Sequence, residues 1–309
     1  MNNRLALLLI SPIALLPAAA PAADSLARIV APGARAEVLG TGYGFCEGPA
    51  ADAEGNVYFS DGKNDTIHLW RPGRPVEVFV DDSLDANGMM FNARGELVVC
   101  EGAAFRIVAF DVKTKAKRIL VGQGERQYNE PNDLAIDSAG GGYFTDPNYK
   151  HRGQEAIKKE LAYYCSPEGK VAVVSDVCTN PNGVLLSADE KTLYLADCRG
   201  KLVYRYRVEA PGKLTGETRW LDLGASPDGM TADEEGNLYV ACGATGIKVY
   251  SQEGEPIGLI TADRGVPYAS NVCFGGEDFR TLLITSRDRF LGIPMKVAGA
   301  RPLPAKKSP

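Results

Sequence analysis

The 309-residue sequence predicts an all-β fold, a six-bladed β-propeller. Three observations predict it: a motif recurs six times, its copies start 40 to 50 residues apart, and each is followed by a short strand-like run ending near an aromatic residue. The motif is plain in NEPNDLAIDSAGGGYFTDPNY, residues 129–149. There an amide-acid pair opens an apolar run, a glycine turn follows, and an Asp closes the unit fourteen residues after Asn132.

The copies, in order, are EGPAADAEGNVYFSD from Glu47, NGMMFNARGELVVCE from Asn87, NDLAIDSAGGGYFTD from Asn132, NGVLLSADEKTLYLAD from Asn182, DGMTADEEGNLYVAC from Asp228 and NVCFGGEDFRTLLITS from Asn271. Each pairs two β-rich runs across a polar turn. The runs TIHLW, RIVAF, ELAYY, LVYRY and GIKVY supply a third strand; FLGIPMKV is a weaker sixth. Six aligned copies favour a propeller over a β-sandwich with coincidental turns. Helical periodicity is scarce, and the one helix-like stretch is QEAIKKE, 154–160.

The fourteen-residue interval follows from strands of about five residues. A strand leaving from Glu47 turns near 53–56 and returns at Asp61, so both residues lie at one end of the blade. The six opening residues, Glu47, Asn87, Asn132, Asn182, Asp228 and Asn271, therefore ring the channel on one face. Asp61, Glu101, Asp146 and Asp197 lie at the same end, one strand further out. For Asp61, Asp146 and Asp197 the spacing points to turn or inter-blade hydrogen bonds rather than catalysis. For Asn87 and Asn271 a local turn role competes with a ring role.

Composition bounds the partners. Apolar residues make up 45% and charged residues 24%, and the net charge is -5 with no long Lys/Arg block. Nucleic acid and acidic membrane surfaces are disfavoured. MNNRLALLLISPIALLPAAAPAA, 1–23, has the basic start, apolar run and small-residue end of a secretory signal, with cleavage near Ala20 or Ala23. An uncleaved anchor is the alternative. The expectation is a soluble periplasmic or secreted protein whose residues 24–309 form one propeller with a short C-terminal tail. Seven cysteines, an odd number, leave at least one free thiol; several end apolar runs, as in LVVC and YVAC, and there is no CxxC pair.

The ring offers oxygen donors only; the two histidines, His68 and His151, lie elsewhere. Oxygen ligands suit a hard divalent cation, calcium most simply, with magnesium, manganese or zinc as alternatives. The donor set disfavours a His/Cys zinc site. Glu47 and Asp228 would balance the charge of such an ion.

Taken together, EGPAADAEGNVYFSD, EPNDLAIDSAGGGYFTDPNY, NPNGVLLSADEKTLYLAD and PDGMTADEEGNLYVAC resemble the SMP-30/gluconolactonase/LRE-like family over about residues 35 to 298. The resemblance implies a six-bladed propeller with one catalytic divalent cation. It implies metal ligands at Glu47, Asn182 and Asp228, with Asn132 binding metal or substrate. ANGMMFNARGELVVCEGAAFRI resembles the gluconolactonase branch and implies that Asn87, Glu101 and Arg106 lie near the mouth. Two positions depart: Glu130 stands where an Arg is frequent, and Gly102 where a His often follows Cys-Glu. Both bear on substrate identity.

PNYKHRGQEAIKKELA, between Asp146 and Tyr163, is longer than its counterparts. It leaves from the ring face, as a lid carrying Tyr149, Lys150, His151 and Arg152 or as a plain solvated loop.

The expected function is metal-dependent hydrolysis of a small-molecule sugar lactone, with Asp228 as general base. Phosphotriester or other ester hydrolysis in the same cavity is one alternative. A non-catalytic calcium-bound binding propeller is another, since a fold alone does not fix a function. A strictosidine-synthase-like propeller is a weaker third.

Overall fold

A computed structural model describes residues 22–150 and 152–302. These residues build six four-stranded antiparallel sheets, each a blade. Blade 1 runs Cys46–Ala51, Val57–Asp61, Thr66–Trp70 and Glu77–Val80 from the axis outward. The innermost strands of the other blades are Ala86–Phe91, Leu134–Ile136, Pro181–Leu186, Met230–Ala232 and Asn271–Gly275. The turn between inner and second strands is held by an Asx-type side chain. Asp52 accepts the amides of Glu54 and Asn56, Asn92 those of Arg94 and Glu96, and Asp233 those of Glu235 and Asn237.

Blade 6 shows why its repeat looked weak. FLGIPMKV falls on its third strand, Arg289–Pro294, and no outer strand follows in the described chain. The fourth strand comes instead from the other end, Glu37–Thr41, which pairs antiparallel with Arg289–Pro294 and closes the ring.

The core is not central. It is divided into wedges between neighbouring blades, because successive side chains on a strand face opposite ways. On Val57–Asp61, Val57 and Phe59 pack toward blade 6 while Tyr58 packs toward blade 2. Phe59 stacks on Phe290 with centroids 4.2 Å apart. This arrangement buries both faces of the blades and leaves the axis to polar groups.

One expectation is corrected. QEAIKKE is not helical: buried Asn129 accepts the Ile157 amide and donates to the Lys159 carbonyl, so the segment's backbone groups are used outside a helical ladder. A helix forms instead at Ala22–Ile29, where Leu26 and Ile29 pack into the wedge between blades 5 and 6, and Pro32 soon follows. The expected leader falls almost wholly on 1–21, outside the described residues, as does His151. All seven cysteines are free thiols, five of them buried.

Candidate active site

The register fixes the ring. Cys46 lies opposite Asp61 and Glu47 opposite Ser60, so the opening and closing residues of the repeat share one end. Pro181 opposite Asp197 and Ala86 opposite Glu101 repeat the arrangement. At Glu47/Ala50, Ala86/Met89 and Pro181/Val184 the register slips, which turns the ring residue out of the pleat and toward the axis.

Close approach of the blades restricts the position after each ring residue. Gly48 has φ 46°, and a Cβ there would sit 2.1 Å from the Asn87 carbonyl oxygen of blade 2. Glycine also comes directly after Asn87, Asn182 and Asp228. Neighbouring blades are tied at this level: Ser60 Oγ donates to the Asn87 carbonyl (3.0 Å), Gly88 N to that of Asn132 (2.7 Å), and Thr145 Oγ1 to that of Asn182 (2.7 Å). Ser270 Oγ closes the circle on the Cys46 carbonyl (2.9 Å).

The side chains converge as pairs. Glu47, 8% exposed, accepts the Gly48 amide at 3.1 Å and a hydrogen bond from the Asn271 side chain. Asn271 Oδ1 meanwhile accepts the Val272 amide at 2.8 Å, so its NH₂ is the group turned to Glu47. That settles the competition at Asn271: it makes the local turn bond and orients a ring carboxylate. Half-buried Asp228 is hydrogen-bonded by the Asn182 side chain, and Asn182 Nδ2 donates to Tyr149 Oη at 2.8 Å. Asn132 is buried, with its backbone fixed by Thr145 and Gly88, and Asn87 is half-buried beside it.

One ring-level residue was missed. Asp133 occupies the position that is glycine in four other blades, and that break in the repeat was the available signal. Its carboxylate accepts the Leu134 amide at 2.9 Å and the Val184 amide, locking blade 3 to blade 4. Burial raises its pKa to about 7. Burial likewise pushes Asp228 up to about 7, the Asn182 bond opposing and the Asp133 charge adding. Glu47 is raised well above the usual carboxylate range, first by burial and then by the Asp228 charge.

Burial and neighbouring negative charge both disfavour ionisation of these acids, and a cation beside them would offset both. The donor set fits a hard cation. The Asn182 amide donates to Tyr149 Oη and is hydrogen-bonded to Asp228, so both its N–H groups have acceptors and its Oδ1 is the atom that could serve a cation. Among the described residues no three His, Cys, Asp or Glu side chains enclose a cation by themselves, so a cage here requires the Asn oxygens.

The outer acids sort differently. Asp61 accepts the amides of Gly44 and Phe45, Asp146 those of Asn129 and Glu130, and Asp197 those of Thr179 and Asn180. Each clamps the loop that delivers its own inner strand, as the spacing suggested. Glu101 is fully buried, with Arg106 Nε at 2.5 Å and Lys117 Nζ at 2.7 Å on its two oxygens. Its carboxylate and the Arg106 guanidinium are therefore engaged with each other one strand out from the ring. His68 lies among Tyr43, Phe59 and Asp61 in blade 1, away from the ring.

The long segment after Asp146 does carry a side chain into the ring, Tyr149, while Lys150 pairs with Asp85 of blade 2.

Comparison with known proteins agrees with this architecture. Residues 45–288 match the family described as SMP-30/Gluconolactonase/LRE-like region. The chain is 30% identical to a gluconolactonase of Zymomonas mobilis over 294 residues, covering 85% of this chain and 82% of that one. It is 30% identical to lactonase drp35 of Staphylococcus saprophyticus over 232 residues, covering 69% and 68%. The solved structure of a gluconolactonase from Xanthomonas campestris superposes with a TM-score of 0.79 at 28% identity, covering 88% of this chain and 92% of that one.

Proposed function

The chain belongs to the SMP-30/gluconolactonase/LRE-like family, and on that premise we propose that it is a lactone hydrolase that opens a sugar lactone, such as an aldono-1,5-lactone, at the channel ring. The observation that carries the reading is the juxtaposition of Glu47 and Asp228 in an oxygen-lined channel, both raised first by burial, Glu47 further by the Asp228 charge and Asp228 by that of Asp133. Its relatives named gluconolactonase and lactonase support the substrate class.

Glu47, Asn182 and Asp228, with Asn132 beside them, would hold one divalent cation, calcium on the hard-oxygen argument, with magnesium or manganese as substitutes. When bound, such an ion supplies Lewis-acid polarisation of the lactone carbonyl and stabilises charge developing on its oxygen. The chain's own residues do the rest. Asn271 and Gly48 hold Glu47 in one orientation, and Asn182 holds Asp228. Asp228 accepts a proton from the attacking water, the water oxygen bonds to the carbonyl carbon, and the ring C–O bond breaks. The proton passes to the departing ring oxygen, giving the open hydroxy acid. The leader-like sequence supports an exported enzyme, periplasmic or secreted, which N-terminal sequencing of protein from cell fractions tests.

The discriminating experiment is a cation-replete panel of aldonolactones and phosphotriesters followed by acid release. Turnover of lactones supports the proposal; turnover of phosphotriesters alone, or of neither class, overturns it.

A further inference from the structure

The two departures from the family pattern, Glu130 and Gly102, are neighbours in space. A Cβ on Gly102 would lie 3.1 Å from the Asp85 carbonyl oxygen and 3.7 Å from Glu130 Cγ, so a large side chain at 102 would crowd the Glu130 site. Glu130 is 5% exposed, and its Oε2 accepts the amides of Tyr149 at 3.1 Å and Lys150 at 2.9 Å. An Arg at this position has no acceptor and could make neither bond. Glu130 therefore clasps the base of the mouth loop, and the loop places Tyr149 Oη on Asn182 Nδ2 and in hydrogen-bonding contact with Cys198 Sγ.

We propose that Tyr149 is a positioning residue for the ring. Its hydroxyl, seated by the Glu130 clasp, fixes the Asn182 amide with Oδ1 turned to the channel. This rests on the reading of the ring as a cation site. An amide has two N–H groups. Asp228 takes one of Asn182's and Tyr149 the other, so the oxygen is left as the cation donor. Without the hydroxyl, one acceptor is lost and the amide plane is free to tilt. The mouth loop and the ring then act as one unit, with Glu130 in blade 3 setting a ligand in blade 4 through residue 149. Residues that orient metal ligands in this way typically alter metal affinity by about 10–100-fold.

The test uses Mn²⁺ as probe on the full chain, with calorimetric Kd and lactone turnover measured for wild type, Tyr149→Phe, Glu130→Ala and the double variant. Expected are Kd values raised about ten-fold in each single variant, and a double variant no weaker than the weaker single. The turnover deficit of Tyr149→Phe should disappear at saturating Mn²⁺. An unchanged Kd in Tyr149→Phe overturns the inference, and so does a turnover deficit that persists in the Mn²⁺-loaded variant, which would make Tyr149 a substrate contact. Fully additive losses overturn the clasp. If Glu130→Ala does not fold, Tyr149→Phe, which keeps the ring and its packing, decides alone. Wild type that binds no Mn²⁺ removes the ring reading itself, and this inference with it.

Discussion

In protein stripped of divalent cations, replacing Asp228 by Asn should raise stability at alkaline pH. The Asp228 carboxyl is pushed from 3.8 to about 7, mainly by burial. Between those values the native state keeps a proton that the unfolded chain has released. This stabilising contribution is complete below about pH 4 and is lost as pH rises through about 7. That displacement corresponds to about 4 kcal/mol at most. An amide at 228 cannot ionise, so the variant should not lose that contribution, and the Glu47 carboxyl is relieved of its neighbour's charge as well. We expect chelated Asp228→Asn to exceed wild type by about 2–4 kcal/mol at pH 8, the gap closing toward pH 4. Adding saturating cation should reverse the order, because binding to the native state favours the protein that binds it better. Urea unfolding at pH 4, 6 and 8, with chelator and with calcium, measures this. A pH-independent difference between the two proteins in chelator would refute the reasoning, since it would mean that Asp228 ionises natively at no cost.

The same geometry carries further outcomes. In the cation-loaded enzyme, Asp228→Asn should lower kcat by about 10²–10⁴-fold and remove the acidic limb of the pH–rate profile, whereas Asp228→Ala should lose the cation as well. Near wild-type turnover by loaded Asp228→Asn would make Asp228 a ligand alone. Glu101→Ala leaves Arg106 and Lys117 without their carboxylate partner. It should cost about 2 kcal/mol in urea unfolding, below the range for a fully buried pair because both cations are partly exposed, with cation Kd unchanged. A changed Kd with unaltered stability would place Glu101 in the site instead.

The blade architecture and the ring were legible in the sequence because both arise from a repeat. A period-2 pattern with a turn midway forces the strand out and back, and six copies force convergence at an axis. Closure by Glu37–Thr41 was not legible, since a strand borrowed from the chain's other end carries no copy of the motif. Asp133 was hidden in its own repeat, read as a strand opener although four of its five counterparts are glycine. Glu101 and Arg106 were placed at the correct end of blade 2. What the sequence could not convey is that Lys117, from the outermost strand of the blade, completes an ion pair around Glu101. The helix-like QEAIKKE misled because local propensity was overridden by Asn129, whose side chain takes the backbone groups that a helix would have used. Tyr149 stood in a loop with two open readings, and only its contact with Asn182 joins that loop to the ring.

In the proposed reaction an oxygen-ligated cation at Glu47, Asn182 and Asp228 is required to open a lactone. That requirement is tested most directly by following acid release from an aldono-1,5-lactone with chelated protein, its metal content measured by elemental analysis, before and after adding calcium, magnesium or manganese. Hydrolysis should fall to the uncatalysed rate on chelation and return with at least one of these ions, while Glu47→Ala and Asn182→Ala should require far more ion to recover. Full activity in protein shown to be free of metal would contradict it.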